Sequence, residues 1–185
     1  AEPTACPVCG PRVVLCDADG AALASAGAAL DEAARALLAG RIVALKGIGG
    51  YHLLADATDE AAVRRLRDRK ERPTKQLAVL VPSLREARAI ALLGPAGEAL
   101  LASAAAPIVL APRRDTSPLA DAVAPHCRDV GLLLPYSPLH HLLMQRVGRP
   151  IVATSANRSG EPMIFEDAEA FAGLRGVADA FLAHN

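Results

Sequence analysis

Residues 41–81, RIVALKGIGGYHLLADATDEAAVRRLRDRKERPTKQLAVLV, decide the fold class. Arg41–Lys46 is a short apolar run with β-branched members, which predicts a strand. Gly47-Ile48-Gly49-Gly50 reads as a tight loop, and Tyr51–Ala55 resumes as a second strand. Thr58 is expected to cap a helix from Asp59, with Val63 and Leu66 on its buried face and acids in its first turn. Pro73 disfavours helical geometry at Arg72, so that helix should stop before the pair. Gln76–Val81 then reads as a buried strand. Strand, loop, strand, helix and strand in this order predict a mixed αβ (α+β) domain.

Outward from this stretch the same signals continue. Toward the amino terminus they predict a strand at Arg12–Asp17, a turn at Asp19-Gly20, and a helix over Ala28–Gly40 with Leu30, Ala34, Leu37 and Leu38 at helical spacing. Toward the carboxy terminus, Ser83 and Glu86 are spaced as a capping box. Pro107–Ala111 and Val130–Leu134 read as buried strands, Pro138–Val147 as a helix, and Ile151–Thr154 as a strand. Residues 166–175 read as a helix and Ala180–Ala183 as a short last strand. Residues 112–128, with three prolines and many polar groups, read as a surface loop.

Composition narrows the function. The 185 residues are 52% hydrophobic, with 20 basic and 20 acidic side chains, so the formal charge is zero and any anion site must be local. No apolar run approaches the roughly 18–20 residues that span a bilayer, and residues 1–30 lack a basic start followed by an apolar stretch. Four cysteines (Cys6, Cys9, Cys16 and Cys127) are too few and too unevenly placed for a disulfide scaffold. The expectation is a soluble, cytoplasmic protein without membrane contact. Arginine outnumbers lysine 17 to three, and Lys46, Lys70 and Lys75 fall close together. Amid such a bias, a retained lysine marks a place where a compact ammonium suits better than a planar fork.

Five segments carry candidate chemistry. Lys46-Gly-Ile-Gly-Gly50 lets backbone N–H groups approach an anion, although a plain turn explains it equally well. It is neither a Walker A loop nor a dinucleotide fingerprint, because no GK[ST] follows and a strand comes next. Residues 64–75 hold seven cations: Arg64, Arg65, Arg67, Arg69, Lys70, Arg72 and Lys75. The first four read as a solvated helix face. Lys70, Arg72 and Lys75 lie around Pro73, on a loop ahead of a rigid strand, where they can be preorganised against phosphates. Thr154-Ser155-Ala156-Asn157 ends a strand with groups that bind phosphate or ribose, as a simple turn would also do. In Pro135-Tyr136-Ser137-Pro138-Leu139-His140-His141, adjacent histidines on a helix diverge too far to ligate one metal together. Cys6-Pro-Val-Cys9-Gly10-Pro11 is one half of a tetrahedral zinc site without a second CxxC.

Taken in order, KGIGGYHLLADATDEAAVRRLRDRKERPTKQLAVLV, PIVLA, GLLLPYSPLHHLLM and IVATSANRSGEP resemble the YrdC-like family. The resemblance covers roughly residues 28–185 and is strongest to the YrdC-like domain of the hydrogenase-maturation carbamoyltransferases, the HypF family. It implies a twisted mixed β-sheet flanked by helices. It also implies a nucleotide pocket signed by K-x-R and S-x-N elements, here Lys70-Glu71-Arg72 and Ser155-Ala156-Asn157. The CPVCGP lead-in resembles the last zinc-knuckle half of that family, which passes directly into the YrdC-like domain. On that resemblance, residues 1–20 are a remnant of the zinc-knuckle segment and linker, and residues 21–185 are the YrdC-like nucleotide-binding domain. An acylphosphatase domain would precede and a Kae1-like transferase domain would follow in the full-length chain. Zinc on Cys6 and Cys9 is then expected only in the full-length protein.

The family implies ATP-dependent formation of carbamoyl-adenylate from carbamate, derived from carbamoyl phosphate, with release of pyrophosphate. The carbamoyl group would then pass to the carboxy-terminal cysteine of HypE on the way to the cyanide ligands of a nickel–iron hydrogenase. Lys70 and Arg72 would be the catalytic cations. Lys75, Thr154, Ser155 and Asn157 would join them on the nucleotide and its phosphates. Lys46, Gly47, Gly49, Gly50, Tyr51, Pro135 and His140 would line the acyl end. Magnesium is expected on the phosphates. Threonylcarbamoyl-adenylate synthases of tRNA modification share the fold, but they normally lack the cysteine lead-in and carry an arginine near Leu133. A double-stranded RNA-binding module using residues 64–75 is the third reading. The zero net charge opposes it, and an aromatic content of 3% without Trp opposes a single-strand stacking platform.

Overall fold

The computed structural model describes residues 10–157 and 162–185. In chain order the elements are β1 (Val13–Cys16), β2 (Ala22–Ser25), α1 (Ala26–Leu38), β3 (Val43–Gly47), β4 (Gly50–Asp56), α2 (Glu60–Arg69) and β5 (Ala78–Leu80). There follow α3 (Leu84–Ile90), α4 (Pro95–Leu101), β6 (Val109–Pro112), a 3-10 turn at Asp121–Val123, β7 (Asp129–Leu133), α5 (Pro138–Val147), β8 (Ile151–Ser155), α6 (Asp167–Gly173) and β9 (Ala180–His184). The strands form one mixed sheet in the order β2-β1-β9-β3-β4-β8-β5-β7-β6. β3 runs parallel to β9 and β5 parallel to β7, while the other neighbours are antiparallel.

Alternation along each strand builds two cores, one on each side of the sheet. On one side α1 and α5 place Leu30, Leu37, Leu143 and Met144 over Val43, Leu45, Leu54, Ile151 and Leu182. On the other, Val63 and Leu66 of α2, Ile90 of α3 and Ala170 of α6 cover Ala44, Leu53, Val79, Val152 and Phe181. The α1–α5 layer stops short of the β6 edge. Ile108 and Leu110 stay 57% and 62% exposed there, so the expectation of a buried strand at Pro107–Ala111 gives way to a half-covered edge. That uncovered floor forms one end of the site.

Other expectations need correction. Asp59, not Thr58, caps α2: its carboxylate accepts from the N–H groups of Ala61 and Ala62 at 2.9 and 3.1 Å, while Thr58 bonds to Asp56. The boundary expected at residue 20 falls inside the β1–β2 hairpin, and β1 is hydrogen-bonded to β9 within the sheet. Residues 112–128 are not all surface, because Leu119, Ala120, Ala122, Val123 and Ala124 are buried and Ala120 N–H donates to Ala57 C=O. β2 and α4 arise where no element was expected. Cys6 and Cys9 lie outside the described residues. Among those described, no helix is long and apolar enough to cross a membrane.

Candidate functional site

A cavity of about 660 Å³ opens on the α5 side of the sheet. Its floor is apolar: Ala153 of β8, Ala78 and Leu80 of β5, Gly131 and Leu133 of β7, then Ile108 and Leu110 at the edge. Gly131 keeps this floor flat, since a Cβ there would meet Ile108 Cγ2 at 2.9 Å. One wall is the loop after α2 (Arg72, Thr74, Lys75, Gln76), and the other is the start of α5 with Tyr136 and His140. Thr154, Ser155 and His52 close one end, with His52 of β4 directly opposite Ser155 of β8.

The cations come from the way α2 ends. Lys70 caps it, Glu71 takes a left-handed φ of 52°, and Glu71 and Arg72 N–H groups bond back to Asp68 and Arg67 carbonyls. This closure resembles the αL helix ending that glycine usually fills. It leaves Glu71 exposed and turns the cations on either side of it toward the end of β8. Lys70 Nζ donates to the carbonyl oxygens of Ser155 and Asn157, the second at 3.0 Å. Arg72 Nη1 donates to Thr154 Oγ1 at 3.1 Å, and Ser155 Oγ to Asn157 Oδ1 at 2.5 Å. The K-x-R and S-x-N segments, 85 residues apart from Lys70 to Ser155, thus meet directly.

Among the described residues, Lys70, Arg72 and Lys75 form no ion pair with a carboxylate, a property they share with Arg41, Arg65, Arg67, Arg114 and Arg128, whereas ten other cations are paired. Burial, then the charges of Arg72 and Lys75, pushes the Lys70 pKa down to about 8. Arg72 is also lowered by burial, and its Nε is buried without a partner. Lys70 and Arg72, partly desolvated, with the exposed Lys75 beside them, form a compact group of like charges that an arriving anion stabilises. Three neutral rings face this group. Tyr136 and His140 stack at 4.4 Å between centroids, His140 Nδ1 lies 2.7 Å from Ser137 Oγ, and His52 Nδ1 lies 3.5 Å from the Tyr136 hydroxyl. Burial, with His52 and His141 nearby, lowers the His140 pKa to about 4. Burial lowers His52 as well, so both imidazoles are neutral near pH 7.

The structure places the remaining expected site residues elsewhere. Lys46 and Tyr51 sit on the opposite face of the sheet, where Lys46 Nζ and the Tyr51 hydroxyl both bond Asp167 Oδ1, at 2.7 and 2.9 Å. Burial and this carboxylate push the Tyr51 phenol upward. Gly47, Gly49 and Gly50 make the β3–β4 turn rather than a cavity wall. A Cβ on Gly47 would come within 2.9 Å of His52 Nδ1, and Gly50, at a φ of 131°, would strike Ile164 C=O at 2.7 Å. Pro135 lines a separate shallow pocket beside Ser103 and His141. Two side chains at or beside the candidate site do not stand out in the sequence. His52 was hidden by its place in an apolar strand, although the alternation there put it on the face opposite Tyr51. Arg67 was assigned to a solvated helix face but is 6% exposed. Arg65 and Arg69 are likewise engaged, with Gly40 C=O and with Asp179.

An apolar slot lined at one end by Arg72, Lys75, Thr154 and Ser155, with Lys70 and Asn157 hydrogen-bonded to the same strand end outside its lining, marks the candidate site of an αβ domain. The chain belongs to the Sua5/YciO/YrdC family, described as telomere recombination, which matches residues 35–185. It is similar to carbamoyltransferase HypF of Rhodobacter capsulatus, 47% identical over the whole chain and 24% of the relative, and to that of Synechocystis, 43% identical over 90% of the chain and 22% of the relative. A solved structure of full-length HypF, described as phosphate- and nucleotide-bound, superposes with a TM-score of 0.91 at 39% identity, covering 100% of this chain and 24% of that one. P. abyssi Sua5 complexed with L-threonine shares the fold, with a TM-score of 0.72 at 24% identity over 84% of this chain and 46% of that one. The chain therefore spans about a quarter of the length of the HypF relatives it matches.

Proposed function

We propose that this domain binds ATP in the cavity and forms carbamoyl-adenylate. A carbamate oxygen attacks the α-phosphorus, the bond to the β-phosphate oxygen breaks, and pyrophosphate leaves with that electron pair. The observation that carries this reading is the group of unpaired cations at one end of an apolar slot, because phosphates need the first and a purine base the second. Lys70, Arg72 and Lys75 hold the triphosphate and neutralise charge that grows on the leaving pyrophosphate. Ser155, Asn157 and Thr154 orient the nucleotide, and the apolar floor takes the base. His140, His52 and Tyr136 wall the acyl end as neutral groups. Leu133 on the floor offers no cation to an amino-acid carboxylate, which favours carbamate over threonylcarbamate. Among the described residues no acidic cluster is placed to hold a metal, and the cavity lining contains no carboxylate. Magnesium would ride on the phosphate oxygens and screen their charge.

In a longer chain the product would serve a Kae1-like domain and, through it, the HypE cysteine. The test is pyrophosphate release from ATP, with carbamoyl phosphate or fresh carbamate compared against threonine plus bicarbonate. Release with the carbamoyl donor is expected. Release only with threonine moves the domain to tRNA modification, and loss of ATP binding altogether removes the site.

A further inference from the structure

We infer that Arg67 is a positioning residue of the phosphate site, holding the backbone of residues 72–75 so that Arg72 and Lys75 stand pre-set for phosphate oxygens. The inference rests on the phosphate role of those two cations. Arg67 lies in the last turns of α2 with its guanidinium buried behind the loop, away from the cavity. Nη1 donates to the carbonyl oxygens of Arg72, Pro73 and Lys75 at 2.7, 3.2 and 3.1 Å. Nε donates to Ala122 C=O at 2.5 Å and Nη2 to Val123 C=O at 3.1 Å. One side chain therefore ties three loop carbonyls to the buried 3-10 turn.

A buried cation costs free energy unless it is satisfied. Here the compensation comes from backbone carbonyls, with Arg72 repelling Arg67 and Glu60 attracting it at longer range. Two of the three carbonyls gathered are those of the residues that carry the cavity cations, while Pro73, Thr74 and Lys75 are themselves exposed and have little packing to order them. Without Arg67, a bound phosphate would have to order that backbone itself. Ordering one or two residues corresponds to a loss of about 10–100-fold in affinity. Lysine cannot replace the fork, because its single ammonium does not span the loop and the 3-10 turn together.

The test is calorimetric titration of the whole chain with inorganic pyrophosphate and with ATP. Arg67→Lys keeps the charge and removes the fork, and thermal unfolding follows its stability. Affinity should fall by about tenfold or more. In an Arg72→Ala/Lys75→Ala background the same substitution should change residual affinity less than about threefold, because there is nothing left to position. An equal factor in both backgrounds, or unchanged affinity in the first, overturns the role and leaves Arg67 a purely structural residue. Should Arg67→Lys fail to fold, Pro73→Gly loosens the same loop without touching a cation. Weaker pyrophosphate binding is expected there too, and unchanged binding overturns the claim that loop order matters. A wild-type chain that binds neither ligand defeats the phosphate site itself, and the positioning role with it.

Discussion

On the proposed phosphate role of Lys70, nucleotide binding is pH-dependent. Its ammonium is half-buried beside Arg72 and Lys75, and burial followed by those two charges brings its pKa to about 8. A bound triphosphate supplies the missing negative charge and returns the pKa toward the ordinary lysine value. Binding then takes up a proton above about pH 8 and none well below it. Affinity should fall with rising pH by at most about tenfold per unit, reduced to about three- to fivefold by solvent screening at a half-exposed group. Ligand-free stability runs the other way. The folded pKa lies below the unfolded value of 10.5, so the unfolded chain binds more protons between the two. The fold gains stability as pH rises through that window and loses it as pH falls through about 8. Calorimetry with ATP from about pH 7.5 to 10, in buffers of different ionisation enthalpy, reads affinity and proton uptake together. Lys70→Arg is the control, since guanidinium stays charged throughout and should flatten the profile at whatever affinity it retains. A flat wild-type profile, or a variant as steep as wild type, refutes the placement of Lys70 on the phosphates.

Three further outcomes test the geometry. Glu71→Gly removes a side chain from a left-handed position at the end of α2, so it should raise stability by about 0.5–1 kcal/mol, the αL cost less the extra freedom of unfolded glycine, and urea denaturation measures it. Gly50→Ala forces a Cβ against Ile164 C=O at a φ open mainly to glycine, and should cost about 2–3 kcal/mol in the same assay. Lys46→Met removes the partner of Asp167 on the face away from the cavity. It should leave ATP affinity within about twofold of wild type, as expected for a site with no shared contacts, and a large loss would return Lys46 to the site.

Most of the sheet was readable because its strands alternate or run apolar between glycines and prolines. β2 was not, since Ala22-Leu23-Ala24-Ser25 is largely exposed and half alanine, a residue with no preference for strands. α4 is a seven-residue helix led by a proline with only Leu101 buried, too short to show a period. The buried part of residues 112–128 was masked by prolines. Its Ala122 and Val123 are held by tertiary contact with α2, and Leu119 packs in the same core, rather than by any repeat of their own.

The two sequence segments of the candidate site stand out because their chemistry is local: cations around a proline, hydroxyls and an amide after a strand. What joins them does not, because it runs through backbone carbonyls, which every residue possesses and no pattern reveals. Lys70 reaches the carbonyls of Ser155 and Asn157, and Arg67 those of Arg72, Pro73 and Lys75. The same principle explains the misplaced residues. Lys46 and Tyr51 are chemically suited to an acyl pocket, but strand alternation turns them to the Asp167 side and puts His52, between Tyr51 and Leu53, beside Ser155. Residue type proposes a role, and the side of the sheet decides which neighbour can accept it. In this domain a shift of one position along β4 separates a residue that meets the cavity from one that props the opposite core.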